Sequence, residues 1–287
     1  MFAQLLINGL IAGAIYALVA SGFSLIYSVC NFTHFGHGAI IAAGAYLLYT
    51  FYVILGINFW ISVILTLISS AVLGWLVNLL IKILRKRNAS NAILLIASFC
   101  LLILFESLIL MIFGADVKTI GFIKITKGEE FGGAIITPLQ IVIIVVSLVL
   151  LVILWLFMKK TKIGKAMRAV ADNKNLAEII GISAEHIYKW SFIIGSLIAG
   201  IAGILVGLEQ NLEPTMGTNL IIKGFTGAIV GGIGSVPGSI LGAFLIGIVE
   251  NFGIWFLPSG YKDAIAFIIL FIFLLFRPQG ILGRKKK

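Results

Sequence analysis

The chain has 287 residues, of which 61% are hydrophobic and only 11% are charged, and its mean hydropathy is +1.16. Soluble domains are about half apolar and about a quarter charged, so this composition excludes an ordinary soluble protein. The apolar runs are continuous rather than alternating, which excludes a transmembrane β-barrel and leaves a polytopic helical membrane protein.

Eight apolar segments are each close to the roughly 20 residues that a helix needs to cross the hydrocarbon layer. They are residues 4–28, 38–56, 59–84, 92–113, 138–158, 189–209, 238–256 and 261–276. A shorter, Gly-rich run covers residues 219–235 and either spans the membrane or re-enters it. We therefore predict an all-α integral membrane bundle of about eight or nine transmembrane segments, with broken Gly-rich segments.

Basic residues are concentrated in three clusters, at 82–87, 159–189 and 277–287, which hold 16 of the 21 Lys and Arg residues. Membrane proteins keep such loops on the cytoplasmic side, so orientation explains the net charge of +10 better than binding to nucleic acid does. Loop 114–137 carries three acidic and three basic residues and is expected outside. If 219–235 crosses the membrane, the N-terminus lies outside and the C-terminus is cytoplasmic.

Two polar or Gly-rich breaks separate neighbouring apolar segments. Residues 31–38 read NFTHFGHG, and glycines are dense from 224 to 238. Irregular backbone at membrane depth occurs only where it is buried in protein or lines a cavity, so such breaks point to a transport path. The alternative is that the glycines only let helices pack closely. The predicted path residues at the breaks are Asn31, Thr33, His34, His37, Gly231, Gly232 and Gly234.

Two acidic residues inside apolar segments, Glu106 and Glu250, join the predicted path because intramembrane carboxylates are usually functional. We identify no intramembrane Lys or Arg to pair with Glu106, and we expect no paired acid and base. A proton relay is therefore poorly supported, and a hydrogen-bonded or protonated Glu106 is the better interpretation. Glu250 can also reach the membrane interface from near its helix end.

No reactive constellation indicates an enzyme. His34 and His37 lie near Cys30, but no carboxylate occurs before Glu106, so the spacing is weak evidence for a metal and we predict none. The chain has no Gly-x-x-x-x-Gly-Lys-Ser/Thr phosphate-binding loop, so we predict no nucleotide cofactor.

The outer loop 114–137 predicts a short hairpin. Residues 120–125 read IGFIKI, which favours a strand, and Lys127 and Gly128 favour a turn. The hairpin would cover helix ends or contact an outside partner.

The basic segment 159–189 is patterned as two short amphipathic helices joined by a turn at residues 172–175. Asn175 with Glu178 predicts the start of the second helix, and Gly181 predicts its end. One interpretation is a juxtamembrane helix lying on anionic lipid. The other is a docking surface for a soluble partner.

Three stretches carry a resemblance to a known family, and they cover residues 8–38 with NFTHFGHG, 164–182 with GKAMRAVADN, and 224–247 with GAIVGGIGSVPGSILGAFLIG. The tail RPQGILG at 277–283 is also typical of that family. Over essentially its whole length, the chain resembles the permease subunits of bacterial ABC importers for branched-chain amino acids.

The resemblance implies a single permease domain over 1–287, in the bacterial inner membrane, with a cytoplasmic coupling region at 159–189. It implies four partner subunits, which are a second permease, two cytoplasmic ATPases that hydrolyse ATP, and an extracytoplasmic amino-acid-binding protein. The lipid bilayer would surround the assembly. The ATPase-coupling residues that it implies are Gly164, Lys165, Arg168, Ala169, Asp172, Asn173, Glu178 and Gly181. Relatives of the same class import urea, short amides or other amino acids, and these alternatives stay open, as does a stand-alone secondary carrier.

Overall fold

The computed structural model describes residues 2–122, 128–131 and 133–283. These residues form a polytopic helical protein, which confirms the predicted class of fold. The helices are α1 (Phe2–Cys30), α2 (Gly36–Tyr49), α3 (Phe59–Lys86), α4 (Asn91–Phe113), α5 (Pro138–Lys160), α6 (Lys162–Asp172), α7 (Lys174–Ile179), α8 (Ala184–Glu209), α9 (Met216–Gly231), α10 (Val236–Gly253) and α11 (Lys262–Phe276). A π-helical turn at Thr50–Ile54 extends α2.

Each predicted apolar segment coincides with a helix. In the described part of the chain, seven helices are long and apolar enough to cross a membrane: α1, α2 with its π-helical extension, α3, α4, α5, α8 and α10. Two shorter apolar helices, α9 with 16 residues and α11 with 15, follow the predicted segments 219–235 and 261–276. The number of crossings and the orientation of the termini stay predictions.

Contacts divide the chain into two compact units. The first unit contains the described parts of Met1–Ser24, Ile123–Ile153 and Ile222–Lys287, and the second contains those of Leu25–Phe122 and Leu154–Ile221.

In the first unit, α9 and α10 pack backbone against backbone through glycine. A Cβ added at Gly231 would overlap the carbonyl oxygen of Gly238, and one added at Gly242 would overlap that of Gly227. Only glycine allows two helices to approach this closely. A small apolar cluster of Val230, Ile246 and Ala266 then joins α9, α10 and α11.

In the second unit, α8 lies against both α2 and α3. A Cβ at Gly44 of α2 would lie 3.0 Å from the Cα of Gly200 on α8, and one at Gly203 would overlap the carbonyl of Ile41. Large aliphatic side chains on α3 such as Ile64 and Ile68 are exposed instead. An apolar exterior of this kind suits a helix that faces lipid or a partner subunit.

A two-stranded hairpin is present in the loop 114–137, and its turn lies later in the chain than the predicted turn. The strands are β1 (Glu129–Phe131) and β2 (Ala134–Ile136), paired antiparallel. Gly133 between them has a φ of +82°, which suits a tight turn, whereas the prediction placed the turn at Lys127 and Gly128. Residues 123–127 of the predicted strand lie outside the described residues.

The two short helices predicted in the basic segment are confirmed as α6 and α7, with one boundary corrected. Asn173, and not Asn175, caps α7, because its extended backbone lets its Oδ1 accept a hydrogen bond from the Leu176 N–H at 3.1 Å. The predicted end at Gly181 is confirmed. Gly181 has a φ of +88°, and the N–H groups of Gly181 and Ile182 donate to the carbonyls of Glu178 and Ala177.

Candidate transport and coupling sites

The exposed surface of α6 and α7 combines charged and aliphatic side chains. Met167, Val170 and Ala177 are buried on the inner face. On the outer face, Ile179 and Ile180 are 80% and 65% exposed. The predicted coupling residues Lys165, Arg168, Asp172, Asn173, Glu178 and Gly181 are exposed, Ala169 is half-buried and Gly164 is buried.

Gly164 allows α6 to fold back against the end of α5. A Cβ there would overlap the carbonyl oxygen of Phe157 and lie 2.7 Å from the Cα of Met158. The Gly164 N–H also donates to Oγ1 of the capping residue Thr161 at 3.0 Å. This position therefore requires glycine for packing, whether or not it contacts a partner.

The first predicted break is a real interruption between α1 and α2, within the second unit. Asn31 has a φ of +55°, and its side chain is exposed, while Thr33 is half-buried. The Phe35 N–H donates to Ser98 Oγ on α4 at 3.1 Å. Both His34 and His37 are fully buried, and the His34 ring lies 5.0 Å from the Phe192 ring, between centroids.

His34 lies in this loop, outside the spanning helices, and burial first and the neighbouring His37 second lower its pKa from 6.5 to about 3. Between about pH 3 and pH 6.5, His34 is therefore protonated in the unfolded chain and neutral in the folded chain. The contribution of neutral His34 to stability is complete above pH 6.5 and is lost as the pH falls toward 3.

We expect acidification from pH 7 to pH 5 to cost the protein about 2 kcal/mol of unfolding free energy through His34. Thermal unfolding of the purified protein in detergent at both pH values measures this cost. The matched variant His34→Gln cannot titrate and should lose less stability on acidification than the wild type. Equal losses in the two proteins would contradict the prediction.

Glu106 accepts a hydrogen bond, which confirms the prediction of a hydrogen-bonded side chain. Thr218 Oγ1 of α9 donates to Glu106 Oε2 of α4 at 2.8 Å. Beside them lies a cavity of about 320 Å³ in the second unit. Its lining residues are Glu106, Ser107, Leu110, Ala115, Val117, Glu213, Pro214 and Thr215.

Glu250 is paired with a buried lysine, so the expectation of no paired acid and base was wrong. In the first unit, Lys223 Nζ of α9 lies 2.5 Å from Glu250 Oε1 of α10 and 2.7 Å from Asp263 Oδ1. The Tyr16 hydroxyl donates to Glu250 Oε2 at 3.1 Å. Glu250 is fully buried, and only Asp263 is largely exposed.

The sequence contained a signal for this pair. Lys223 is an ionisable residue inside the apolar run 219–235, a position that usually marks a pair or a functional site. Its partner is 27 residues away on another helix, so spacing does not reveal the pairing.

The second predicted break, 231–238, contains the short turn of residues 232–235 that separates α9 from α10 in the first unit. Gly232 and Gly234 have φ values of +114° and +87°. The last carbonyl groups of α9 have no partner within the helix, and the chain near the C-terminus donates hydrogen bonds to them. The Ile281 N–H donates to the Val230 carbonyl, and the Leu282 N–H donates to the Gly231 carbonyl. These contacts show close packing at Gly231, and the roles of the three glycines in a path stay predictions.

Spanning helices, two interruptions between helices and a capped amphipathic helix pair define a polytopic helical membrane protein. The fold is found in a solved structure, PsaBC from Streptococcus pneumoniae in complex with Fab, with 18% identity and a TM-score of 0.52 over 95% of this chain and 91% of that one. At that identity the likeness shows the fold alone.

Comparison with sequence families identifies the protein further. The family described as branched-chain amino acid transport system, permease component, matches residues 5–274. High-affinity branched-chain amino acid transport system permease protein BraD of Pseudomonas aeruginosa is 32% identical, covering 99% of this chain and 96% of the relative. LivH of Escherichia coli K12 is 30% identical with the same coverage, and probable LivH of Methanocaldococcus jannaschii is 31% identical over 98% and 92%.

The chain belongs to this family of permease components. It is a multi-pass protein of the cell (inner) membrane, and it is a transport subunit rather than a catalytic enzyme.

Proposed function

We propose that this chain is the membrane-spanning permease subunit of an ATP-driven ABC importer that moves branched-chain amino acids into the cytoplasm. The full-length relatives from Pseudomonas aeruginosa and Escherichia coli support the substrate class. The observation that carries the coupling role is the exposed aliphatic edge of α7, formed by Leu176, Ile179 and Ile180.

This edge has the chemistry of a docking helix. Three exposed aliphatic side chains on one short helix are costly in water and fit an apolar groove on a protein. The helix is held firmly, because Asn173 caps its start and the Gly181 turn closes its end. Residues 159–189 would thus couple one of the two cytoplasmic ATPase subunits to this permease, and ATP hydrolysis would belong to the ATPase subunits.

The remaining parts of the proposed assembly are a second permease subunit and an extracytoplasmic amino-acid-binding protein. The path would include the breaks at 31–38 and 231–238 together with Glu106 and Glu250, and it would open alternately to the two sides. The binding protein would select the substrate first, so urea, short amides or other amino acids are the alternative cargoes.

A secondary carrier is the second candidate, and the buried Lys223–Glu250 pair is the observation that favours it. Ion pairs at membrane depth occur in proton relays. Reconstitution distinguishes the two functions. We expect leucine to accumulate in liposomes only with ATP, both permeases, both ATPases and the binding protein. Accumulation by this chain alone without ATP would overturn the proposal.

Cargo competition in the same liposomes tests the substrate. Unlabelled isoleucine and valine should suppress uptake of labelled leucine, while urea and acetamide should not. Suppression by urea or acetamide would assign the permease to one of the alternative cargoes.

We expect the double substitution Ile179→Glu and Ile180→Glu to abolish co-purification of the ATPase subunits and to reduce uptake by about tenfold or more, because two charges would have to enter an apolar groove. The matched control is Ile135→Glu, which changes an aliphatic side chain with 60% exposure in β2. Membrane insertion should be normal in both variants. If the double variant keeps the ATPases and the uptake, docking through this edge is excluded, and the interpretation of a helix that lies on anionic lipid is favoured.

A further inference from the structure

Arg85, in the last turn of α3, contacts three separate elements of the second unit. Its Nη2 donates a hydrogen bond to the carbonyl oxygen of Cys30, the last residue of α1, at 2.5 Å. Its guanidinium carbon lies 4.3 Å from the ring centroid of Tyr188 on α8 and 5.3 Å from that of Phe32. One cation thus connects the end of α1, the loop 31–35 and α8.

The chemistry of these contacts suits arginine. The Cys30 carbonyl is at a helix C-terminus, where backbone acceptors lack partners within the helix and the helix dipole favours a positive charge. The planar guanidinium can donate to this carbonyl while it stacks on aromatic rings, which an ammonium group cannot do equally well. Arg85 is partly buried, so water competes less for these contacts.

Tyr188, which Arg85 contacts, lies at the end of the predicted coupling segment, residues 159–189. The Gly181 turn that ends α7 is three residues before Ala184, where α8 begins with Ser183 as its cap. Both α6 and α7 contact α8. Ala177 of α7 and Ala184 of α8 are buried, so displacement of α7 would displace the first turns of α8, which carry Tyr188.

Phe32, which Arg85 also contacts, lies in the first break. Phe32 is buried, and its ring stacks with that of Phe192 on α8 at a centroid distance of 6.4 Å. The chain then continues through His34 directly into α2, which begins at Gly36. Movement of the loop would therefore reorient predicted path residues and the start of α2.

We propose that Arg85 is a positioning residue that transmits movement of the coupling segment to the loop 31–35. The proposal rests on the proposed importer function. Arg85 holds the Cys30 carbonyl and Phe32 to Tyr188, so the loop follows α8 when the ATPases close. Without the guanidinium, ATP is still hydrolysed, but the loop follows α8 less closely. Part of the connection is kept, because the contacts of Phe32 with Phe192 and of Cys30 with Ser191 remain.

The test uses the full complex in liposomes and measures ATP hydrolysed per leucine transported. In Arg85→Met we expect this ratio to rise about tenfold, as the loss of a hydrogen bond from a charged donor suggests. Arg85→Lys should fall between the wild type and Arg85→Met, because it keeps the charge but loses the planar stacking. Tyr188→Leu keeps the hydrogen bond between Arg85 and Cys30 but removes the ring under the guanidinium, so its ATP-to-leucine ratio should also rise. The double variant Arg85→Met with Tyr188→Leu should have a ratio no higher than that of Arg85→Met alone.

The matched control is Lys82→Met. Lys82 Nζ lies 2.6 Å from Glu185 Oε2 and joins the same two helices, but both side chains are substantially exposed, so the pair contributes little. Its ATP-to-leucine ratio should equal that of the wild type. A wild-type ratio in Arg85→Met or in Tyr188→Leu, or fully additive effects in the double variant, would overturn the proposal. Lack of ATP-dependent uptake by the wild-type complex would overturn the proposed function instead.

Discussion

Replacing Lys223 with Met should lower the free energy of unfolding by about 3–5 kcal/mol, because it leaves a buried carboxylate without its counter-ion. Glu250 is fully buried, and of its described partners only the Tyr16 hydroxyl would still donate to it. Thermal unfolding in detergent and the yield of monodisperse protein measure the loss. The double variant Lys223→Met with Glu250→Met should recover most of the stability, since replacing both members of a buried pair with apolar groups is often nearly neutral.

The matched control for this prediction is Lys262→Met. Lys262 is nearby in the same unit, but it is only partly buried, and its Nζ lies 3.5 Å from Asn251 Oδ1, at the limit of a hydrogen bond. Its removal should change stability little. Wild-type stability of Lys223→Met would show that the pair does not hold α9 to α10. A double variant that transports normally would exclude an ionic role for the pair in transport.

The substitution Gly231→Ala should destabilise the protein by about 3 kcal/mol, at the upper end of the usual cost of overpacking. The added Cβ would overlap the carbonyl oxygen of Gly238, and backbone atoms cannot move aside as a flexible side chain can. Because α9 and α10 would have to separate, their contacts through Gly227 and Gly242 would weaken as well. Thermal unfolding and susceptibility to proteolysis at the α9–α10 turn measure the effect.

Gly260→Ala is the control, because a Cβ at that position would have no neighbour within 4 Å. It should unfold like the wild type. If Gly231→Ala were as stable as Gly260→Ala, close packing of α9 on α10 would not be what requires glycine there.

Local signals in the sequence predicted the helices well. Runs of apolar residues placed nine helices, because the length of an apolar run directly measures whether a helix can cross the membrane. In the basic segment, Gly181 was correctly predicted as the end of α7, since the left-handed turn favours glycine. The start was misplaced by two residues, because Asn173 and Asn175 are equally good caps by residue type and the backbone selects one of them.

Contacts between helices were not predictable in the same way. In the sequence, Arg85 is only one member of the basic cluster 82–87, although its contacts with Cys30 and Tyr188 distinguish it from its neighbours. The turn at Gly133 between β1 and β2 was not predicted either, because IGFIKI favours a strand earlier in the chain by composition.

By itself, the sequence determined that this protein is a helical membrane protein with a capped, amphipathic basic segment, because hydrophobic length, helix caps and charge clusters are local properties. Only the tertiary structure decided that Lys223 meets Glu250, that Arg85 joins α1 to α8, and that Gly231 lies on Gly238. Those contacts depend on the rotation and depth of each helix relative to its neighbours. Side chains from positions far apart in the chain set these two quantities together, and no single segment contains them.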